Sequence, residues 1–289
     1  MRALVTGAGG MVGRAVAAYC ASLGDTVLAY DRQTLDITDE AAVAAVFERE
    51  RPEVVFNCAA WTNVDGCERD AARAYSVNAR GPQILAAQAR RCGASLLTIS
   101  TDFVFDGAKQ GFYTQRDDPN PLSVYGAAKL EGERRAQEAN ARTLVIRTGW
   151  IFGPGGPNFL SKVIELAQAG ARLTVIRDAY GTPTYAKDLA KRLRELAERD
   201  LPAIYHVVNS GEGASYEEFA RAALALSGRE EGAVIESVSM DDLERPAPRP
   251  RNSRLRCLIS EAIGLEPLPL WLDSLKHFAA SPPELKIAV

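Results

Sequence analysis

The feature that most constrains the fold is a regular alternation of short apolar runs with longer segments of helical period. Strands that are apolar throughout and are separated by helices are typical of βαβ units and of a parallel sheet covered on both faces. The first half of the chain is therefore predicted to be a Rossmann-like, doubly wound α/β domain. The predicted strands span residues 3–5, 26–30, 54–56, 95–100 and 144–147, and the predicted helices span residues 11–23, 40–50, 70–92 and 122–139.

The alternation becomes less regular after Trp150. We find no internal repeat and no low-complexity linker, so the second half is predicted to pack on the first. This divides the chain into an NAD(P)-binding domain, residues 1–150, and a smaller C-terminal α/β substrate-binding lobe, residues 151–289, some segments of which return to the first domain. Within this lobe the predicted helices span residues 159–169, 186–199, 215–226 and 269–279, and a strand is predicted at 204–208.

Composition excludes several classes of protein. The chain has 289 residues, of which 47% are hydrophobic and 25% charged, as in ordinary soluble domains. A net charge of -3 without a basic stripe gives no reason to expect nucleic acid. No apolar segment approaches the roughly 20 residues that cross a membrane, and Met1-Arg2 leads directly into an apolar run without a secretory signal. A cytoplasmic location is therefore expected.

Cysteine and histidine usage argues against a metal centre. The five cysteines are an odd number without C-x-x-C spacing, which favours free thiols in a reducing cytosol. The two histidines, His206 and His277, are expected to be packed or at the surface. We therefore predict no metal, no histidine-based zinc chemistry and no Ser-His-Asp triad.

The segment T-G-A-G-G-M-V-G directly follows the first predicted strand and opens a helix. In that context, backbone amides and a helix N-terminus can meet a pyrophosphate. A glycine turn that binds nothing is the alternative. The residues predicted to contact a dinucleotide here are Gly7, Gly9, Gly10, Met11, Val12 and Gly13.

Asp31 ends the second predicted strand, where such folds place an acid on the adenosine ribose. A carboxylate accepts hydrogen bonds from the 2'-hydroxyl of NADH, whereas the adjacent Arg32 could accept the 2'-phosphate of NADPH. We expect NADH to be slightly favoured and NADPH to be tolerated. Asp36 and Ile37 are placed to hold the adenine, although Asp36 could equally cap the following helix.

Two further strand ends are predicted to reach the same crevice. Ala59, Ala60 and Trp61 follow the third strand, and small residues there would let a cofactor approach the backbone. The fourth strand ends at Thr101 and Asp102. The carboxyl ends of the strands in an open α/β sheet therefore bring these residues to the glycine turn.

Tyr125 and Lys129, in V-Y-G-A-A-K, are spaced to lie on one face of a helix that begins near residue 122. A tyrosine pKa of about 10 leaves little phenolate at neutral pH. A nearby ammonium, together with an oxidised nicotinamide, would favour the phenolate and lower that pKa. Tyr125 could then donate its proton to a carbonyl oxygen as hydride reaches the carbon, with Thr101 hydrogen-bonded to the same oxygen.

These segments together resemble the extended short-chain dehydrogenase/reductases, and within them the dTDP-4-dehydrorhamnose reductases. The similarity covers nearly the whole chain. It rests on the glycine motif and on N-C-A-A-W-T-N-V-D, S-T-D-F-V-F-D-G, V-Y-G-A-A-K-L-E-G-E, R-T-G-W-I-F-G, D-A-Y-G-T-P-T-Y-A-K-D-L-A and R-P-R-N-S-R-L.

The resemblance implies reduction of the 4-keto group of dTDP-6-deoxy-L-lyxo-4-hexulose to dTDP-L-rhamnose. It implies that Tyr125 is the proton donor, that Lys129 is its partner and a ribose ligand, and that Thr101 is the third catalytic residue. The resemblance places Asp102 and Trp150 on the sugar, beside Thr101 and Tyr125. Asn78 matches a family asparagine near the cofactor, for which helix packing is an equal alternative.

The chain also departs from the family pattern. Trp61 stands where histidine or tyrosine is frequent, and V-D-G-C-E replaces V-D-x-A-E. Some members form dimers through magnesium held by glutamates, one of them two residues after the third glycine. Ala15 occupies that position here, so no such metal is expected, and a homodimer remains possible.

Two other functions stay open on the sequence. One is a reductase of the same mechanism for another nucleotide-4-keto-6-deoxysugar, in which Arg249, Arg251 and Asn252 could grip a diphosphate or merely coat the surface. The other is a non-catalytic regulatory subunit resembling that of methionine adenosyltransferase. The unbroken set of Thr101, Tyr125 and Lys129 argues for an enzyme.

Overall fold

The computed structural model describes residues 1–228 and 234–280, which form twelve strands and eleven α-helices. The strands are β1 (Arg2–Thr6), β2 (Thr26–Tyr30), β3 (Val54–Asn57), β4 (Ser95–Thr101), β5 (Thr143–Thr148), β6 (Ile151–Phe152), β7 (Leu173–Ile176), β8 (Tyr180–Gly181), β9 (Thr184–Tyr185), β10 (Ile204–His206), β11 (Ala214–Ser215) and β12 (Ile235–Val238). The helices are α1 (Met11–Ser22), α2 (Glu40–Glu50), α3 (Val64–Arg69), α4 (Ala71–Tyr75), α5 (Gly81–Cys92), α6 (Val124–Ala139), α7 (Phe159–Gln168), α8 (Ala186–Arg199), α9 (Tyr216–Leu226), α10 (Leu258–Ala262) and α11 (Trp271–Ala280).

The central sheet has six strands in the order β10-β5-β4-β3-β1-β2, and all of its pairings are parallel. The chain moves from β1 outward to β2 and then returns to the other side of β1 for β3. This reversal is the topological switch point of a doubly wound sheet, where ligand crevices open at the carboxyl ends of the strands. The predicted doubly wound parallel sheet is confirmed.

The central positions of the inner strands are mostly apolar because helices cover both faces of the sheet. Leu4 and Val55 belong to the cluster that includes α2 and α5, whereas their neighbours Val5 and Phe56 belong to the cluster that includes α1 and α8. Successive strand side chains point to opposite faces. Residues 3–5 of β1 and 54–56 of β3 are therefore apolar whichever face they point to.

The second half of the chain adds a strand and a helix to the first domain and also forms an apolar cluster of its own. Ile204–His206 pairs with β5 as the outer strand of the sheet, and α8 packs against α1. A separate cluster joins Phe152, Phe219, Trp271 and Phe278, and it holds α9 and α11 over the carboxyl edge of the sheet. The last segment of the predicted second lobe, residues 281–289, lies outside the described residues.

The segment predicted as one helix over 70–92 is divided. Helices α4 and α5 are joined by a π-helical turn, Ser76–Arg80, and helix α3 before them was not predicted from the sequence. The wider turn includes Asn78, whose side chain exchanges two hydrogen bonds with the backbone of Trp61, at 2.9 and 3.0 Å. A π turn of this kind re-aims side chains locally, and such turns are frequent at functional sites.

Candidate active site

The turn between β1 and α1 is tightly constrained by its glycines. Gly7 has φ +67°, and a Cβ on it would lie 2.6 Å from the backbone nitrogen of Ala59. A Cβ on Gly13 would overlap the carbonyl oxygen of Gly7. The N-cap of α1 is Gly10, which has no side chain that could occupy the first-turn N–H groups. The helix N-terminus is therefore available to an anionic group such as a pyrophosphate.

A cavity of about 430 Å³ runs from this turn along the ends of β2 and β3. It contains the adenosine-side residues predicted from the sequence, together with Arg73, which was not predicted. The guanidinium of Arg73 lies 4.4 Å from the centroid of the Trp61 ring, a cation–π arrangement. The lining includes Gly7, Gly9, Gly10, Asp31, Arg32, Asp36, Ile37, Ala59, Ala60 and Trp61.

The two carboxylates at this cavity also close local turns. Asp31 Oδ1 accepts hydrogen bonds from the hydroxyl and backbone N–H of Thr34, which lower the pKa of this carboxyl. Asp36 accepts from the backbone and hydroxyl of Thr38, and its pKa is lowered in the same way. The cap of α2 is Asp39, not Asp36. Both carboxylates are therefore ionised at neutral pH and held in fixed orientations at the cavity.

A second cavity, of about 740 Å³, adjoins the first and shares Gly9, Gly10, Cys58 and Ala60 with it. The glycine turn and the ends of β4 and β5 open into this space. The structure thus brings the predicted catalytic and sugar-side residues together in one crevice. The residues concerned are Thr101, Asp102, Tyr125, Lys129 and Trp150, and the predicted cofactor-binding residues Met11, Val12 and Gly13 line the same space.

Helix α6 carries Tyr125 and Lys129 one turn apart. It begins at Val124, two residues later than predicted, because the Ser123 side chain caps it by accepting from Gly126 N–H at 3.2 Å. A Cβ on Gly126 would overlap the Phe103 carbonyl oxygen. Because glycine lacks that atom, the start of α6 packs closely against the segment that follows β4.

Burial dominates the acid–base properties of this pair. It raises the pKa of Tyr125 well above its usual value, while a hydrogen bond with Thr101 opposes the rise. Burial lowers the pKa of Lys129 to about 8, and Glu133 opposes that change. Lys129 Nζ donates to the Ile99 carbonyl oxygen at 2.6 Å. Burial sets the pKa of Tyr125 in this structure, and the lowering expected from Lys129 together with an oxidised nicotinamide stays a prediction.

Asp102 is a buried carboxyl group with spare hydrogen-bonding capacity. It is 3% exposed, and burial raises its pKa to about 6. Its Oδ1 accepts from the Thr101 hydroxyl at 3.1 Å, and the nearby Ser253 hydroxyl opposes part of the rise in pKa, whereas Oδ2 has no geometric hydrogen-bond partner among the described residues. A Cβ on Gly149 would overlap this carboxyl group, so glycine makes room for it. An unpaired buried acceptor at a cavity is suited to a ligand hydroxyl.

Trp150 is held in an unusual backbone conformation, with φ +50°. Its ring stacks on Tyr216 from the start of α9, with centroids 3.8 Å apart. A Cβ on Gly181 would overlap the indole. Tyr216 lines the cavity and was not predicted, because it is 66 positions from Trp150 and no local pattern connects the two.

The arginines of the second half are engaged with carboxylates. Arg249 pairs with Asp65 at 3.0 Å, and Arg251 pairs with Asp178 at 2.7 Å. Asn252 donates to two backbone carbonyls in the loop at 109–111. Asn252 therefore fixes a loop within the protein, and the two arginines are held in ion pairs.

Within residues 1–228 and 234–280, no cluster of three or more His, Cys, Asp or Glu side chains could hold a metal ion. All five cysteines are free. His206 is buried, its Nδ1 contacts two carbonyl oxygens, and desolvation lowers its pKa to about 4, so the ring is neutral. No helix in this part of the chain has the length and apolar character to cross a membrane.

Comparison with known proteins gives consistent matches. Residues 1–282 match the family model described as the RmlD substrate binding domain. The chain is 42% identical over 280 residues to the dTDP-4-dehydrorhamnose reductase of Streptomyces griseus, covering 95% of this chain and 91% of the relative.

Solved structures of dTDP-4-dehydrorhamnose reductases are similar to this chain over nearly its whole length. A dTDP-4-dehydrorhamnose reductase from Clostridium acetobutylicum superposes with a TM-score of 0.92 at 37% identity, covering 96% of this chain and 98% of that one. The enzyme of the same name from Bacillus anthracis, in complex with NADP, has a TM-score of 0.92 at 31% identity, covering 96% and 97%. The resemblance seen in the motifs is confirmed, and the chain belongs to the family of the RmlD substrate binding domain.

Proposed function

We propose that the protein reduces the 4-keto group of dTDP-6-deoxy-L-lyxo-4-hexulose to a hydroxyl, giving dTDP-L-rhamnose, with NADH or NADPH as the reductant. The observation that carries the proposal is the meeting of Thr101, Tyr125 and Lys129 in the crevice that the glycine turn also lines. The relatives bearing the name dTDP-4-dehydrorhamnose reductase, matched over nearly the full chain, support the substrate.

The described residues fit a nicotinamide dinucleotide. The uncapped start of α1 suits the pyrophosphate, and the cavity beside Asp31 and Ile37 suits the adenosine. The larger cavity leaves space for the nicotinamide near Tyr125. When bound, the reduced cofactor supplies the hydride. An NADP-bound relative supports NADPH as a substrate, whereas the ionised Asp31 favours NADH slightly.

Tyr125 is the proton donor of this proposal. Burial keeps its phenol protonated, so the proton is in place when a carbonyl oxygen develops negative charge. Thr101 contacts the same phenol and orients it. Lys129, whose pKa of about 8 leaves it mostly charged at neutral pH, stabilises the phenolate that remains after transfer.

Asp102 and Trp150 hold the sugar. Asp102 Oδ2, buried and without a partner in the described part of the chain, accepts a hydrogen bond from a sugar hydroxyl. The Trp150 ring, braced by Tyr216, offers an apolar face to the pyranose. The second half of the chain thereby forms the substrate-binding lobe. The free thiols fit a cytoplasmic location, and a homodimer stays a prediction.

The test is oxidation of NADH and of NADPH by the purified protein, with dTDP-4-dehydrorhamnose generated in place from dTDP-glucose. Wild-type turnover should fall by about 10² to 10⁴ in Tyr125→Phe, while cofactor affinity is kept. Absence of turnover, despite tight cofactor binding, would reject this substrate. Another keto-sugar, or a regulatory subunit without catalysis, would then be the better assignment.

A further inference from the structure

Helix α6 meets the end of β4 through three successive contacts. Tyr125 faces the Thr101 hydroxyl, which opposes the rise in its pKa, and Lys129 donates to the Ile99 carbonyl. One turn further along the same face, Glu133 accepts a hydrogen bond from the Ser100 hydroxyl. The spacing of four residues places all three helix side chains in one row.

Glu133 is also half of a buried ion pair with Arg147 of β5. The two side chains are 2% and 4% exposed. Arg147 Nη2 lies 2.7 Å from Glu133 Oε2 and its Nε lies 3.0 Å from Oε1, which is bidentate geometry. Arg147 is the register partner of Ser100 in the sheet. A glutamate in the helix is therefore tied to two adjacent strands at once.

Burial of such a pair is a poor route to stability. Desolvation of two charges often cancels their attraction, and apolar residues of similar volume frequently serve the fold as well. Glu133 lies one helical turn from Lys129 and acts on its charge. Its position suggests a role in the site rather than in the core.

We propose that Glu133 is a positioning residue for the catalytic pair: anchored by Ser100 and Arg147, it fixes the rotation of α6 and keeps Lys129 in its charged form. The role in turnover rests on the proposed reductase. The effect on Lys129 does not depend on turnover.

The geometry of α6 supports the positioning role. A Cβ on Gly132 would overlap the Asn78 carbonyl oxygen, so the helix lies in direct backbone contact with the π turn. The contact at Gly126 fixes the other end in the same way. The two glycines set how closely the helix approaches its neighbours, and the Glu133 anchor restrains its rotation about its axis.

The groups around Lys129 support the electrostatic role. Burial opposes its charge, and Glu133 is the largest influence that favours the charge. Cys58, after β3, also faces it, but burial raises the pKa of that thiol to about 12 and keeps it neutral. Asp102 lines the same cavity, and Arg147 on β5 is compensated by Glu133 itself. Glu133 is thus the carboxylate that acts on the ammonium.

The direct test is the titration of Lys129 by ¹³C NMR in protein labelled at lysine Cε. The chain has seven lysines, and the Lys129 signal is assigned as the one lost in Lys129→Met. In Glu133→Gln, which keeps the shape of the side chain, the titration midpoint should move to lower pH by about one unit. An unchanged midpoint would overturn the inference.

Two controls separate this effect from a loss of folding. Asp25→Asn breaks another buried pair, with Arg194, far from the crevice; it should destabilise the protein without moving the Lys129 midpoint. Glu133→Leu combined with Arg147→Met replaces the whole pair by apolar groups. That variant should fold and still show a lowered midpoint, and a wild-type midpoint in it would show that the pair is purely structural.

The same variants connect the inference to catalysis. In Glu133→Gln the Lys129 ammonium should lose its proton at lower pH, so the alkaline limb of the plot of kcat against pH should move to lower pH. The KM for the cofactor should change less than kcat. If the wild type is active and the dependence of kcat on pH is identical in wild type and Glu133→Gln, the role of Glu133 in turnover is rejected. An inactive wild type would reject the proposed function instead, and the NMR titration would still decide the inference.

Discussion

Trp150 and Tyr216 form a stacked pair whose rings are 3.8 Å apart and inclined by 18°. Trp150 follows β5, whereas Tyr216 begins α9, so the pair joins the two halves of the chain across the cavity. Each ring is large and apolar, and such pairs contribute about 0.5–1.5 kcal/mol beyond the area that they bury.

Removal of the supporting ring should weaken sugar binding. In Tyr216→Ala, Trp150 loses the surface that holds its indole, and we expect KM for the nucleotide sugar to rise about tenfold, equivalent to about 1.4 kcal/mol. Tyr216→Phe keeps the stack and should stay close to wild type. Steady-state kinetics of the three proteins checks this, and equal KM values for Ala and wild type would contradict it.

Gly181 should be intolerant of any side chain while Trp150 is present. A Cβ there would overlap the indole, and forced overpacking typically costs about 1–3 kcal/mol. Gly181→Ala should therefore lower the free energy of unfolding by that amount. Adding Trp150→Leu opens the space, so the double variant should recover part of the loss. Additive effects in a double-mutant cycle would show that the two positions do not interact.

Asp102 should make the folded protein less stable as pH rises, which is opposite to the effect of a carboxyl group whose pKa is lowered on folding. Because burial raises its pKa from 3.8 to about 6, the folded protein keeps this proton to a higher pH than the unfolded chain does. The contribution is fully present below about pH 4 and is lost as pH rises through 6. At pH 7, Asp102→Asn should be more stable than wild type by up to about 3 kcal/mol.

The difference between these two proteins should disappear near pH 4. Urea unfolding at several pH values measures it. A variant that is less stable than wild type at pH 7 would mean that the carboxylate gains more from its surroundings than it loses by desolvation.

Arg32 should discriminate between the two nicotinamide cofactors. It lies beside Asp31 at the adenosine-side cavity, where a guanidinium can pair with a 2'-phosphate. Arg32→Ala should raise KM for NADPH about tenfold, as expected for loss of about 1.4 kcal/mol, and leave KM for NADH nearly unchanged. Arg116→Ala, at an exposed site away from this cavity, is the matched control. Equal effects on both cofactors would contradict the assignment.

Local patterns in the sequence predict many of the residues of this site. The spacing of Tyr125 and Lys129, and the position of Thr101 at a strand end, follow from periodicities that short windows contain. Because parallel strands end at one edge of a sheet, the sequence alone predicts that these residues meet.

What the sequence could not supply depends on long-range packing. Tyr216 and Gly181 meet Trp150 only through the folded second half, and neither has a periodic signal. The burial that raises the pKa of Tyr125 is a property of the same kind. Desolvation is set by the elements packed around a group, whereas sequence spacing reports only the neighbouring charge on its own helix.

The placement of β10 outside β5 has a consequence for synthesis. Strand β5 ends at Thr148, and the strand that covers its edge begins at Ile204. A nascent chain released up to residue 150 exposes the open edge of β5 and the face of α1 that α8 later covers, which are surfaces prone to aggregation. Productive folding therefore waits for translation past residue 206, and a gene truncated at the sequence-derived domain border would encode an incomplete sheet.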